Sequence, residues 1–428
     1  MSSVLQTEAE QTDVKETEPF VPDPYAIPLE TLDPAKVEIF QQDKLWGYFE
    51  RLRAEDPVHF LEDSDYGPYW SITKFDDIMF VDKNHELFSS EGGITIGPLK
   101  SQEEQAKEFQ TPMFIAMDPP KHDVQRATVT SVVAPRNLAA LEGTIRERAA
   151  GILDSLPVGE TFDWVDKVSI ELTTQMLATL FDFPFEERRK LTFWSDIATA
   201  GPEVVSVEER RAHLLECLDY FTRLWQERRD QEPSFDLVSM LAHGENTKNM
   251  QPMEFLGNLI LLIVGGNDTT RNSISGGVVM LNQNPDQYQK LREDHGLIAS
   301  MVPEIIRYQT PLSHMRRVAN QDVELRGKTI KKGDKVVMWY VSGNRDEEAI
   351  ENPNDFIIDR KTPRHHLSFG FGIHRCMGNR LAEMQLRVLW EEIMQRFDFV
   401  EVVGEPQRSA STFVKGYAHL PVKLHARK

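Results

Sequence analysis

The chain has 428 residues, 40% of them hydrophobic, enough to bury a large core. A formal net charge of -20 argues against nucleic acid as a general partner, and the two cysteines, Cys217 and Cys376, are too far apart and too differently set to suggest a disulfide framework. A reducing compartment suits them, and the longest apolar run, residues 259–264, is far short of the roughly 20 residues a spanning helix needs, so the pattern predicts a cytoplasmic protein with no integral membrane segment.

Residues 1–20 are polar and acidic, without the apolar stretch of a signal peptide, and are expected to form a disordered leader before one domain over residues 21–428. Residues 34–54 carry Val37, Phe40, Leu45, Phe49 and Leu52 at helical spacing, which predicts one amphipathic helix. Residues 58–72 predict a hairpin turning at Asp63-Ser64-Asp65-Tyr66-Gly67. From residue 76 to about 284 the pattern is mostly helical, with breaks at Gly92-Gly93, Pro119-Pro120, Gly159 and Gly201-Pro202. His122 and Arg126, four apart, follow the second break.

Residues 258–280 predict a long buried helix whose middle is odd: Gly265-Gly266-Asn267-Asp268-Thr269-Thr270 puts poor helix formers and an acid where Leu or Ala is expected. Thr269 can turn its hydroxyl to the carbonyl of Gly265 and open or bend that turn, giving a groove for a small molecule. Gly used for close helix packing, with Asp268 in a buried ion pair, accounts for the same residues. Glu304-x-x-Arg307 then spaces an acid and a base by one helical turn, a common pattern whose weight comes from its place in the chain. Val323–Leu325, residues 329–330 and residues 335–339, separated by Arg326-Gly327 and Lys332-Gly333, predict a small meander.

The most informative segment is Phe369-Gly370-Phe371-Gly372-Ile373-His374-Arg375-Cys376-Met377-Gly378. Its glycines let backbone approach a thiolate closely, and the apolar periodicity of residues 379–390 places Cys376 near a helix N-terminus, where the dipole is expected to lower a thiol's pKa. A metal-bound thiolate fits this frame better than a structural cysteine in a tight turn. Arg317 and His374, with His122 and Arg126, are together suited to neutralise two carboxylates on a cofactor edge. The whole reads as mainly α with small peripheral β-sheets, one unit whose size a bulky buried cofactor would explain.

In this order, from about residue 30 onwards, these elements resemble the cytochrome P450 superfamily. The cysteine loop matches the family's Phe-x-x-Gly-x-x-x-Cys-x-Gly signature with Phe369, Gly372, Cys376 and Gly378, and Glu304 and Arg307 match its structural Glu-x-x-Arg pair. Gly266, Asp268 and Thr269 match the oxygen-activating turn, while His122, Arg126, Arg317 and His374 fall where the family binds haem propionates. Asn344-Arg345-Asp346 matches a further family segment, with Glu347 where a proline is usual. The resemblance implies a single haem-centred domain of the cytochrome P450 fold holding haem b (iron protoporphyrin IX), with Cys376 as the metal ligand, O2 as co-substrate, and Asp268 and Thr269 as catalytic proton donors.

Residues 90–97, 265–273 and 413–417 also resemble bacterial family 153, whose members hydroxylate the terminal carbon of alkyl chains. That implies a medium-chain n-alkane, primary alcohol or fatty acid as a small apolar substrate. Candidates for its pocket are Ile94, Ile96, Met113, Phe114, Val264, Gly265, Leu312 and Phe413, and ordinary core packing accounts for each as readily. No flavin or iron–sulfur signature is present, so electrons are expected from NAD(P)H through a ferredoxin reductase and a ferredoxin. Arg364, His365, His366, Arg375 and Arg380 are candidates for its docking patch. The competing readings are a peroxide-driven fatty-acid peroxygenase and a non-catalytic Cys-ligated haem sensor.

Overall fold

A computed structural model describes residues 19–97, 99, 110–200 and 204–427. Residues 1–18 of the expected leader and the Gly201-Pro202 break lie outside the described residues. The amphipathic stretch predicted as one helix is two, α1 (Val37–Gln41) and α2 (Leu45–Glu55), because Asp43 takes a left-handed φ of 57° that a continuous helix cannot contain. The hairpin is present as β1 (Val58–Leu61) and β2 (Tyr69–Ile72), paired from Val58 opposite Ile72 to Leu61 opposite Tyr69. Helix α3 (Phe75–Lys83) and the short strand β3 (Phe88–Ser89) follow.

The helical middle comprises α4 (Lys121–Thr130), α5 (Pro135–Asp154), α6 (Glu171–Phe181), α7 (Arg189–Thr199), α8 (Val207–Arg229) and α9 (Leu237–His243), with β4 (Thr161–Asp163) between α5 and α6. Helix α10 (Pro252–Gln283) is longer than its sequence pattern suggested and, at 32 residues, spans about 48 Å. Pro252 starts it where no intrahelical N–H is needed, and almost every side is buried, so it runs through the core. It packs against α6, α7 and α8, against α12 (Ile298–Gln309), which follows the shorter α11 (Pro285–Glu293), and against the helix after Cys376. Trp164, Trp194 and Trp390 are fully buried in the main core around it.

The late strands differ from the predicted meander. Strands β6 (Val323–Leu325) and β7 (Lys328–Ile330) pair only with each other, whereas β8 (Lys335–Met338) lies between β2, to which it is parallel, and β5 (Met315–Ala319), to which it is antiparallel. The resulting five-stranded sheet, in order β1-β2-β8-β5-β3, carries two smaller apolar clusters of its own. After α13 (Tyr340–Gly343) and the cysteine loop come α14 (Asn379–Arg396), β9 (Phe397–Val402), β10 (Gln407–Arg408), β11 (Tyr417–His419) and β12 (Pro421–Ala426). The architecture is mainly α with small peripheral sheets, as the composition and periodicity suggested.

Candidate active site

The cysteine loop turns at Gly370 and Gly372, whose φ values of 63° and 66° are ones L side chains rarely adopt. At Gly372 a Cβ would also stand 2.4 Å from the Asp82 carbonyl oxygen, so the loop lies directly on the end of α3. The Cys376 amide donates to the Phe369 carbonyl (2.8 Å), closing the loop, and Gly378 serves as the N-cap of α14 with an ordinary φ of -86°. A Cβ on Gly378 would meet the Cys376 sulfur at 4.0 Å, so this glycine matters through its place beside the thiol rather than through its backbone.

Burial pushes the Cys376 thiol pKa up, and the Gly378 and Asn379 amides with Arg126 and Arg375 pull it down without prevailing. The helix N-terminus therefore acts in the direction the sequence suggested but is outweighed, and a bound metal has to complete the deprotonation. Cys376 is nevertheless exposed, although protein surrounds and desolvates it. The thiol therefore faces a space inside the molecule.

A matching opening lies on α10. Leu261, Leu262, Val264, Gly266 and Thr269 are only half-buried and Gly265 is exposed, while the residues on either side of this stretch are buried. Positions 262, 265, 266 and 269 share one helical face, open at Gly265, where an added Cβ would meet nothing within 4 Å among the described residues, and covered at Gly266 by the Leu177 side chain. Thr269 Oγ1 donates to the Gly265 carbonyl (3.1 Å), the bond anticipated from the sequence, yet the helix continues unbroken through this turn.

Asp268 is fully buried and its Oδ1 pairs with Arg271 (2.9 Å) and accepts from Asn267 (3.0 Å); Arg271 also pairs with Asp196 (2.9 Å). The open position and the buried ion pair, alternatives in the sequence, coexist on adjacent flanks of one turn. Asp268 Oδ2 is buried without a hydrogen-bond partner among the described residues. Burial, helped by the negative charge of Asp196, raises the Asp268 pKa against the pull of Arg271.

The four residues expected as cations do gather, although His374 is neutral there. The rings of His122 and His374 are 4.3 Å apart, Arg126 Nη2 donates to the Arg375 carbonyl (2.5 Å), and Arg317 pairs with Asp82 (2.9 Å). Burial, then the charges of Arg317, His122, Arg126 and His85, depress the His374 pKa to about 2, which places all of them in one cluster. His122 Nε2 and His374 Nδ1 are buried with no partner among the described residues. Sequence reasoning missed His85 and Asp82. The latter, buried, accepts from Arg317, Tyr340 Oη (2.9 Å) and the Phe371 amide (2.7 Å), and so ties α3, β5, α13 and the cysteine loop together. Nothing in the run Phe75-Asp76-Asp77-Ile78-Met79-Phe80-Val81-Asp82 distinguishes that acid from its neighbours.

These features fit the haem that the resemblance implies. A single thiol is the donor, and no group of three or more His, Cys, Asp or Glu side chains suited to a metal exists among the described residues. An ion held by Cys376 must therefore bring its other ligands with it, as a porphyrin does. The unpaired nitrogens of His122 and His374, beside Arg126 and Arg317, suit its two carboxylates.

The pocket candidates separate into two groups. Ile94, Met113, Leu312 and Phe413 are half-buried and lie outside the hydrophobic clusters, while Val264 is half-buried against the main one. Ile96 and Phe114 are buried within clusters, so for them core packing is the better description. The backbone brings several together: Arg316 N donates to Ile94 O (2.7 Å), Ser313 N to Phe413 O (3.0 Å), and Leu312 bridges Val414. Phe114 N donates to Asn258 Oδ1 on α10 (2.9 Å). Glu304 and Arg307, both fully buried, make two parallel hydrogen bonds of 2.7 and 2.8 Å. Of the suggested docking cations, Arg375, Arg380 and His365 are exposed and Arg364 is paired with Glu383 (2.8 Å). His366 is buried against Phe369 and drops out of any surface patch.

Comparison with known proteins agrees with this geometry. The profile of the family "Cytochrome P450" matches residues 158–422. The linalool 8-monooxygenase of Pseudomonas putida is 36% identical over 408 residues, covering 92% of this chain and 99% of that protein. The methyl-branched lipid omega-hydroxylase of Mycobacterium bovis (strain ATCC BAA-935 / AF2122/97) is 32% identical over 397 residues, 88% of this chain and 90% of that one. Among solved structures, Cytochrome P450-153 from Novosphingobium aromaticivorans is 49% identical with a TM-score of 0.87, covering 92% of this chain and 100% of its own. With the fold, the cysteine loop and the cation cluster in agreement, the chain belongs to the cytochrome P450 family, whose members work with haem, O2 and NAD(P)H-derived electrons.

Proposed function

We propose that this P450 monooxygenase hydroxylates the terminal carbon of medium-chain alkyl substrates, n-alkanes, primary alcohols or fatty acids, with electrons relayed from an NAD(P)H-dependent reductase by a ferredoxin. The observation that carries the reading is that Gly265 is exposed in the middle of a largely buried helix and that Cys376, which protein surrounds and desolvates, is exposed as well. The similarity to family 153 and to a lipid omega-hydroxylase supports the substrate class. Two free cysteines suit the cytoplasm, and no helix among the described residues is long and apolar enough to cross a membrane.

In this reading Cys376, in the loop from Phe369 to Gly378, would hold the iron of haem b through its sulfur, and His122, Arg126, Arg317 and His374 would hold its carboxylates. Bound there, haem supplies reductive activation of O2 and insertion of one oxygen atom into an unactivated C–H bond. Thr269 Oγ1, on the accessible face, positions a proton over the site. Asp268, whose raised pKa lets it keep a proton more readily than an ordinary carboxyl, restores the one Thr269 gives up. Ile94, Met113, Val264, Leu312 and Phe413 exclude water and hold the chain end-on, with Ile96 and Phe114 as their support from the core. Gly265 leaves room where a side chain would block the approach. Terminal C–H bonds are stronger than internal ones, so the selectivity has to come from this restriction of geometry.

Alkanes, alcohols and acids of stepped length, assayed with a surrogate ferredoxin, reductase and NADH, test the proposal by product regiochemistry. The terminal alcohol is expected to dominate; mainly subterminal products would remove the terminal assignment. Full turnover on hydrogen peroxide with none on NADH would make the enzyme a peroxygenase, and no spectral shift and no product would leave a sensor. For Thr269→Ala, NADH consumption continues while product per NADH falls on the order of tenfold and hydrogen peroxide release rises, less than the full worth of positioned proton transfer because a water can stand in for the lost hydroxyl. Unchanged coupling would take Thr269 out of the relay.

A further inference from the structure

His314 is fully buried just before β5, between the rings of Trp339 (4.8 Å) and Phe413 (5.4 Å). Its Nδ1 lies 3.1 Å from the Thr412 carbonyl oxygen and 3.2 Å from Ser313 Oγ, which itself donates to that carbonyl, and its Nε2 lies 3.4 Å from the Ile96 amide nitrogen. A carbonyl only accepts and an amide only donates, so Nδ1 carries the proton and Nε2 offers its lone pair. One ring thus bonds to two segments that are 98 and 218 residues away in sequence. One of them bears Phe413, the other Ile94 and Ile96, and His314 itself follows Leu312 by two residues. Backbone bonds at Ser313 and Arg316 make these segments neighbours on either side of His314, and at His314 itself the imidazole spans between them.

We propose that His314 is a positioning residue that sets the width of the alkyl pocket, bridging the Ile96 amide and the Thr412 carbonyl as a neutral imidazole. The inference rests on the reading of Ile94, Leu312 and Phe413 as pocket wall. A ring of any kind would fill the space between Trp339 and Phe413; one with a donor at one corner and an acceptor at another also bonds to both segments, adding to the bonds made at Ser313 and Arg316. Burial brings the His314 pKa down to about 4, so the ring keeps that form throughout the neutral range. Trp339 belongs to the core cluster beneath the sheet, so the bridge is anchored to a rigid layer and not to another loop.

The test compares holoenzymes of the parent, His314→Phe, which keeps a ring and loses both bonds, and His314→Gln, which keeps a donor and an acceptor. In His314→Phe, amide exchange over residues 94–97 is expected to quicken by about tenfold, the worth of one buried hydrogen bond. On whichever chain the parent hydroxylates, the subterminal share of product should rise while the thiolate-type carbonyl spectrum is unchanged, and His314→Gln should restore both readouts towards the parent. Exchange at the parent rate, or an unchanged product ratio, overturns the proposal. If His314→Phe does not retain haem, His314→Asn, too short to span both partners, takes its place. A parent that makes no alkyl product defeats the substrate reading, and the exchange comparison then decides on the bridge by itself.

Discussion

Cys376→Ala is expected to fold and yet make no product, with the thiolate-type carbonyl spectrum abolished. The contacts that shape the loop are backbone ones, from the Cys376 amide to the Phe369 carbonyl and from the Phe371 amide to Asp82, and neither uses the sulfur. Helix α14 starts beyond the thiol and is held by its own buried face, including Leu386, Leu389, Trp390 and Ile393. Circular dichroism should therefore match the parent while absorbance of the reduced carbonyl complex does not. Retained thiolate-type absorbance in Cys376→Ala would overturn the assignment, and none is expected from the other cysteine, Cys217, which is buried in α8 with burial raising its pKa well above the ordinary value.

Removing Glu304 is expected to have the largest effect on stability. Its carboxylate receives Arg307 through two bonds and Arg360 through two more (3.0 and 3.3 Å), along with the Ile357 amide (2.9 Å). Arg307 in turn donates to the carbonyls of Asn344, Pro353 and Asp355, so the pair fastens α12 to the segment before the cysteine loop. Glu304→Ala leaves two guanidinium groups together in a closed interior, and loss of one partner from a buried pair costs about 3–5 kcal/mol. Urea unfolding of purified holoprotein should show the loss as a lower midpoint, larger than for Glu304→Gln, which keeps an acceptor. An unchanged midpoint for Glu304→Ala would mean that water solvates the arginines and that the pair is not structural.

Much of the site was legible in the chain because its chemistry is local. The cysteine loop compresses the thiol, its two left-handed glycines and the start of α14 into a dozen residues, and Glu304 with Arg307 needs only one helical turn. Helix α10 was legible too, being apolar on almost every side over many turns. What escaped depends on contacts between distant segments. Strand β8 pairs with β2, with Val336 opposite Trp70, and no local pattern reports a partner so far back; the turns around it looked like a meander because they are turns. The break at Asp43 hid inside an uninterrupted apolar rhythm, and Asp82 and His314 are single polar residues whose importance exists only once three or four segments meet. The thiol's pKa went astray for a related reason: a helix terminus can be read from sequence, and the desolvation that outweighs it cannot.

The cluster of His85, His122, Arg126, Arg317 and His374 lies inside a molecule whose overall formal charge is -20. Polarity is thus inverted from rim to centre: inside the anionic envelope stand the guanidiniums of Arg126 and Arg317, the latter paired with Asp82, beside the neutral ring of His374. A guest bearing acid arms would find guanidinium charge waiting there, and ring nitrogens without partners among the described residues, whereas a neutral one would leave both unanswered. Retention of a prosthetic group with such arms would then be a matter of polar complementarity, in which the apolar walls proposed for the substrate need take no part.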